Sequence, residues 1–181
     1  GWTIFKLWEV LSGSLYPSCL YVDNSNVLWV GGLNGFCTYD GSTWSYFNTS
    51  NTGLIHDDVE IITSDGDGNI WFGTEGNGVG KYDAENFFFF FGNFSYFKEK
   101  GNEKFTGQRS LMQDATGNIW IGETRGNIIS LNGQVFTNYT PENENSENTI
   151  FDIKQDRQGN IWFAKKYDGI SKFNGQYFTN Y

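Results

Sequence analysis

The chain has 181 residues, with 12 Lys and Arg against 21 Asp and Glu, for a formal net charge of −9. That balance repels phosphate backbones and anionic lipid, which argues against nucleic-acid and membrane-surface partners. Aromatics reach 19% of the residues and glycine occurs 23 times, but alanine only three times, which disfavours helices and disorder and suits short strands joined by tight turns.

In chain order, the first element is Gly1-Trp2-Thr3-Ile4-Phe5. It matches an aromatic strand that recurs later, since Phe5 precedes Asp23 by 18 residues as Phe47 precedes Asp65. Residues 1–16 are therefore expected to be a partial unit carrying a surplus strand. Four complete units follow, approximately 17–58, 59–108, 109–149 and 150–181. Their landmarks are Asp23 and Trp29, Asp65 and Trp71, Asp114 and Trp120, and Asp156 and Trp162, each Trp six residues after its Asp. The strides between these Asp residues are 42, 49 and 42.

Each unit reads as four strands. An apolar strand ends at the Asp, and an Asp-x-x-Gly-Asn turn leads to the Trp strand. A Gly-rich loop leads to a third strand ending at Tyr39, Tyr82, Leu131 or Phe173. Asp40-Gly41, Asn132-Gly133 and Asn174-Gly175 are hairpin signals into an aromatic fourth strand. That fourth strand is expected at Trp44–Phe47, Phe94–Phe97, Phe136–Tyr139 and Phe178–Tyr181. The long stride is then an insertion in the second unit around Phe87–Phe91. Four strands in a repeat of about 40–45 residues make a propeller blade, with the Trp residues filling the space between blades. The expected fold is all-β, a β-propeller of about four complete blades plus one N-terminal strand.

The run Asp65-Gly66-Asp67-Gly68-Asn69-Ile70-Trp71-Phe72-Gly73-Thr74, with Gly78-Val79-Gly80-Lys81-Tyr82-Asp83 and Trp44-Ser45-Tyr46-Phe47-Asn48-Thr49-Ser50-Asn51-Thr52-Gly53-Leu54, resembles the two-component regulator propeller repeat. The resemblance covers nearly the whole chain. It implies a β-propeller, often the extracytoplasmic sensor part of bacterial hybrid two-component receptors, and thus a periplasmic or secreted location. Similar arrays occur in secreted proteins without a kinase.

Candidate chemistry is sparse. The Asp65 loop lacks a calcium loop's terminal acid, because the position eleven residues on is Gly76, so it reads as a turn and no metal or cofactor is expected. Cys19 and Cys37 fall on first and third strands, about 10 Å apart across the intervening strand, beyond disulfide reach. Both are expected to be free thiols. His56 has no motif-placed nucleophile beside it, so no catalytic residue is assigned and the chain is read as a non-enzyme.

The units differ most in the loop between strands two and three and in the link between blades, which share one face of a meander. This places His56, Glu75, Arg109, Glu123, Arg125, Lys165, Lys166, Tyr167 and Asp168 on a candidate ligand- or partner-binding face. The expected function is non-catalytic binding of a small-molecule or oligosaccharide ligand, and the chain is expected to be a segment of a longer propeller or to complete the propeller by self-association with another copy, rather than to close alone as four blades. No apolar run approaches the roughly 20 residues of a membrane span. The alternatives are a structural or adhesive secreted propeller, or a polysaccharide-active enzyme.

Overall fold

A computed structural model describes residues 4, 6–7, 15–54, 56–75, 78–90, 107–133, 135–140 and 147–181. They form four sheets of four antiparallel strands, each a meander in chain order. Blade one comprises β1 (Tyr16–Val22), β2 (Leu28–Leu33), β3 (Gly35–Tyr39) and β4 (Trp44–Phe47). Blade two comprises β5 (Val59–Ser64), β6 (Ile70–Thr74), β7 (Val79–Tyr82) and β8 (Phe87–Phe90). Blade three comprises β9 (Gln108–Gln113), β10 (Ile119–Glu123), β11 (Ile128–Asn132) and β12 (Val135–Asn138). Blade four comprises β13 (Ile150–Gln155), β14 (Ile161–Lys165), β15 (Ile170–Phe173) and β16 (Phe178–Asn180).

The first strand of each blade is innermost. β1 meets β5, β5 meets β9 and β9 meets β13, while β1 and β13 form no comparable contact among the described residues. The blades therefore make an open arc of a β-propeller rather than a closed four-bladed ring. Of the surplus strand expected at Trp2–Phe5, only Ile4 is described, and it is exposed.

Each blade boundary holds its own apolar cluster. Trp29 and Phe36 of blade one meet Val59, Ile62, Ile70 and Phe72 of blade two. Trp71 and Val79 meet Leu111, Ile119, Ile121 and Leu131. Trp120 and Ile128 meet Ile150, Ile153, Ile161, Phe163 and Phe173. Trp29, Trp71 and Trp120 are core, as their recurrence predicts, whereas Trp162 is only half-buried.

One turn locks every unit. The indole N–H of Trp29, Trp71, Trp120 and Trp162 donates to Asp23, Asp65, Asp114 and Asp156 at 2.8, 2.9, 2.7 and 2.8 Å. The other carboxylate oxygen takes the backbone N–H four residues on, at 2.9, 2.9, 3.0 and 2.9 Å. The turn thus ties the strand-two Trp to its own blade before the next blade covers it.

The fourth strand of blade two differs from expectation. It is Phe87–Phe90, not Phe94–Phe97. Tyr82 pairs with Phe87 as Tyr39 pairs with Trp44, Leu131 with Phe136 and Phe173 with Phe178. The residues that lengthen the unit follow this strand, and Phe94–Phe97 lies outside the described residues. Phe87 stacks on Tyr82 with centroids 4.6 Å apart and joins the first boundary cluster, whereas Phe88 is exposed. Asp83 and Asn86 close the turn that the missing Asn-Gly signal concealed, Asp83 accepting the Asn86 N–H at 2.7 Å.

Cys19 pairs with Gly31 and Val30 with Cys37, so β2 separates the cysteines and both thiols are free. Burial pushes the Cys37 thiol up to about 12.

The close approach of successive blades requires glycine at one point in each of the first three blades, Gly31, Gly73 and Gly122. A methyl at Gly122 would sit 2.5 Å from Ile150 Cγ2. Gly122→Ala is expected to cost about 1–3 kcal/mol through this overlap, measured by urea unfolding.

The Asp turns also set an acid response. Burial raises the Asp65 and Asp114 pKa values, but hydrogen bonds, led by those from Trp71 and Trp120, outweigh it and hold both below the ordinary value. Asn160 and Trp162 bring Asp156 down to about 2. A depressed carboxylate contributes stability above its unfolded pKa of about 3.9, and that contribution is lost as pH falls through the folded value. Thermal stability is therefore expected to fall below about pH 4, read as a lower unfolding midpoint, and Asp114→Ala is expected to cost about 3 kcal/mol at neutral pH by leaving Trp120 and Asn118 donors unmatched.

Candidate functional site

The links between blades and the loops after strand two meet on one face, tied by a repeated backbone bond. Glu75 N–H donates to Asp58 O, Thr124 N–H to Gly107 O and Lys166 N–H to Thr149 O, each at 3.0 Å. The Asp turns lie at the other end of the strands and carry their own ties between blades, Ala115 N–H donating to Gln155 Oε1 at 2.7 Å.

A bulge recurs on every innermost strand at this face. Ser18, Glu60, Arg109 and Phe151 each fall between paired residues and have no partner in the ladder. A bulge re-aims the side chain it frees. Here it brings Glu60 of blade two and Arg109 of blade three together, Arg109 Nη2 lying 3.6 Å from Glu60 Oε1.

Around that pair stand Asp58, Glu75 and His56. His56 Nδ1 accepts the Asp58 backbone N–H at 3.1 Å, so the imidazole caps the link. Burial, a hydrogen bond that the protonated carboxyl donates to Glu75, and the repulsion of the Glu75 charge raise Asp58 to about 6, with His56 and Arg109 opposing. Burial also raises Glu60, with Arg109 pulling the other way. The arrangement is a partly buried acidic group faced by an exposed guanidinium. It can hold a proton near neutral pH and engage a polar or charged ligand.

A second group lies on blade four. Asn148, fully buried, accepts the Tyr167 N–H at 3.0 Å and donates to Asp168 Oδ2 at 2.7 Å, fixing the loop. Tyr167 is exposed with Lys166 Nζ 4.7 Å from its ring centre, and Phe151 is exposed on the neighbouring strand.

The structure thus brings His56, Glu75 and Arg109 together, and separately Lys166, Tyr167 and Asp168. Arg125 is exposed on the blade-three loop. Glu123 and Lys165 are buried, and Glu123 is absorbed by the framework: its carboxylate takes the Asn127 amide at 2.6 Å and the Gln108 amide at 3.4 Å. Asp58, Glu60 and Phe151 were missed from the sequence. The position five before each repeat Asp reads Ser18, Glu60, Arg109 and Phe151, but its neighbours in the strand vary as widely, so nothing in the sequence marked it.

A family model described as "Two component regulator propeller" matches residues 53–76 and 145–164. The chain resembles this repeat family in sequence and in fold. No curated protein matches the sequence. Among solved structures, the extracellular domain of the proposed hybrid two-component system BT4673 of B. thetaiotaomicron is similar at TM-score 0.72 and 20% identity, over 89% of this chain and 21% of that one. The corresponding domain of BT3049 gives TM-score 0.68 and 23% identity, over 91% and 21%. Virginiamycin B lyase from Staphylococcus aureus gives TM-score 0.68 and 15% identity, over 91% and 55%. The chain therefore spans about a fifth of the length of the two-component domains. Among the described residues no helix is long and apolar enough to cross a membrane.

Asp58 gives the site a pH signature. Its folded pKa lies above the unfolded value, so it contributes stability that is complete below about pH 4 and lost as pH rises through about 6. An NMR titration of the Asp58 carboxyl is expected to show a midpoint near 6, moving down in Glu75→Gln once the repulsion is removed.

Proposed function

We propose that this chain is a non-catalytic, sensor-type propeller segment acting outside the cytoplasm, which binds a small-molecule or oligosaccharide ligand on the link-and-loop face. The observation that carries this reading is the junction of blades two and three. There Asp58, Glu60, Glu75 and Arg109 converge on a backbone held by the Glu75–Asp58 bond. By contrast, the acids of the opposite face are occupied by repeat turns. The two-component domains that share the fold are described as extracellular, which supports the location.

An enzymatic reading has one observation in its favour, the Asp58 carboxyl raised to about 6, since acid–base catalysis uses such groups and a lyase shares the fold. A calorimetric screen of oligosaccharides and small polar metabolites separates the two. The expected result is binding without turnover, weakened at least about tenfold by Arg109→Ala, as loss of a charge-assisted contact implies. Asp67→Ala on the opposite face should leave it unchanged. Turnover abolished by Asp58→Asn would replace the sensor reading with the enzymatic one.

A further inference from the structure

Blades two and three share a buried hydrogen bond at a place where the first and third boundaries have only apolar contact. At the start of the innermost strand, blades two and four carry Val59 and Ile150, which have no polar side-chain atoms, and blade three carries Gln108, which is 1% exposed. Gly73 of blade two lets Gln108 approach, since a methyl there would fall 2.8 Å from Gln108 Cβ. Gln108 Oε1 accepts the Thr74 backbone N–H at 3.1 Å. The same N–H reaches Gly78 O in its own loop at 3.3 Å, whereas the equivalent N–H groups of Glu123 and Lys165 donate to their own loops at 3.1 and 2.9 Å. Blade two thus shares with its neighbour a donor that blades three and four keep to themselves.

The other end of the Gln108 amide meets Glu123. Gln108 Nε2 donates to Glu123 Oε1 at 3.4 Å, and Glu123 Oε2 accepts from the Asn127 amide at 2.6 Å. A backbone N–H on one side calls for an acceptor and a carboxylate on the other calls for a donor, so one amide orientation serves both. Glu123 is 2% exposed. Burying an amide and a carboxylate carries a desolvation cost, and the boundaries built on Val59 and Ile150 hold together without either. Blade cohesion alone does not explain the pair.

The residues at the two ends of the bond do. Thr74 is followed by Glu75, and Gln108 by Arg109, so one buried bond ties together the strands that carry both charges of the junction. On the other side of Gln108, Gly107 leaves room for blade two, since a methyl there would overlap the Glu60 carboxylate that faces Arg109. We propose that Gln108, oriented by Glu123, is a positioning residue that fixes Glu75 of blade two and Arg109 of blade three relative to one another. This role takes the junction to be the binding site, as proposed above. Charged groups held in place beforehand lose less freedom when a ligand binds.

An NMR titration of the Asp58 carboxyl on the full 181-residue chain tests this without a ligand. Asp58 also faces His56, Glu60 and Arg109, none of which is substituted. In the wild type, Glu75→Gln lowers the midpoint from about 6, because the Glu75 charge is held beside Asp58. In the background Gln108→Val/Glu123→Thr, the same substitution is expected to lower it by less than half as much. That background copies the Val59–Thr74 pair of blade two, which already folds within the chain. Gln108→Met, of similar length but with neither hydrogen bond, serves the same purpose should the double variant not fold. Glu123→Gln keeps an oxygen for the Gln108 amide and is expected to retain the full Glu75 effect. A merely structural cross-link would lower the urea midpoint and leave the Glu75 effect intact in every background, and that result would overturn the proposal. Loss of the effect in Glu123→Gln would overturn it as well. A face that binds no ligand leaves the titration unaffected, and an unaltered titration leaves the binding proposal standing, so the two fail separately.

Discussion

The hydrogen bond from the strand-two indole to the repeat Asp is the interaction on which the architecture depends. A propeller blade has two broad faces, and the Trp must lie flat on one of them to meet the next blade. A large amphipathic ring buried at a boundary needs a partner for its N–H. The Asp supplies it from six residues upstream while its second oxygen closes the turn between strands one and two. One carboxylate thus fixes the turn, the ring orientation and the spacing of blades. This explains why the Asp and Trp recur together at every boundary although surrounding apolar residues vary from Phe72 to Ile121 to Phe163.

The same frame determines where variation is tolerated. At the turn end, each Asp is occupied and its chemistry is internal. At the other end, the loop-to-link bond uses backbone atoms only, so Glu75, Thr124 and Lys166 can differ without loss of the tie. The bulge on the innermost strand acts in the same way. It removes one residue per blade from the ladder, and Ser18, Glu60, Arg109 and Phe151 occupy that place with unrelated chemistry. Structural constancy and chemical diversity are therefore separated along the strand by a few residues, which is how a repeated scaffold carries a site that is not repeated.

Local signals made much of this legible. The Asp–Trp spacing, the turn residues and the aromatic fourth strands were sufficient for the propeller, for the separation of Cys19 from Cys37 and for the face on which charge accumulates. The second blade shows where those signals failed. Its hairpin turn is Asp83-Ala84-Glu85-Asn86, without an Asn-Gly pair, with Ala84 itself at φ 75°. The aromatic motif then pointed to Phe94–Phe97, although the constant five-residue offset from Tyr82 pointed to Phe87. Register across the sheet, set by backbone pairing, outranked motif similarity. Glu123 shows the converse: a loop charge in the sequence becomes a buried acceptor once Gln108 and Asn127 fold around it.

The sequence by itself determined the period, the strand order within each blade and the identity of the boundary core, because these follow from contacts within one repeat or between consecutive repeats. Tertiary structure alone decided which charges meet and which apolar faces stay uncovered. The Glu60–Arg109 pair joins residues 49 positions apart through two bulges that no local pattern encodes. Leu20 and Ile62 hold the same place in the repeat, yet Ile62 is buried and Leu20 exposed, because burial is set by what packs against each blade. That is a property of the arc and not of any repeat within it.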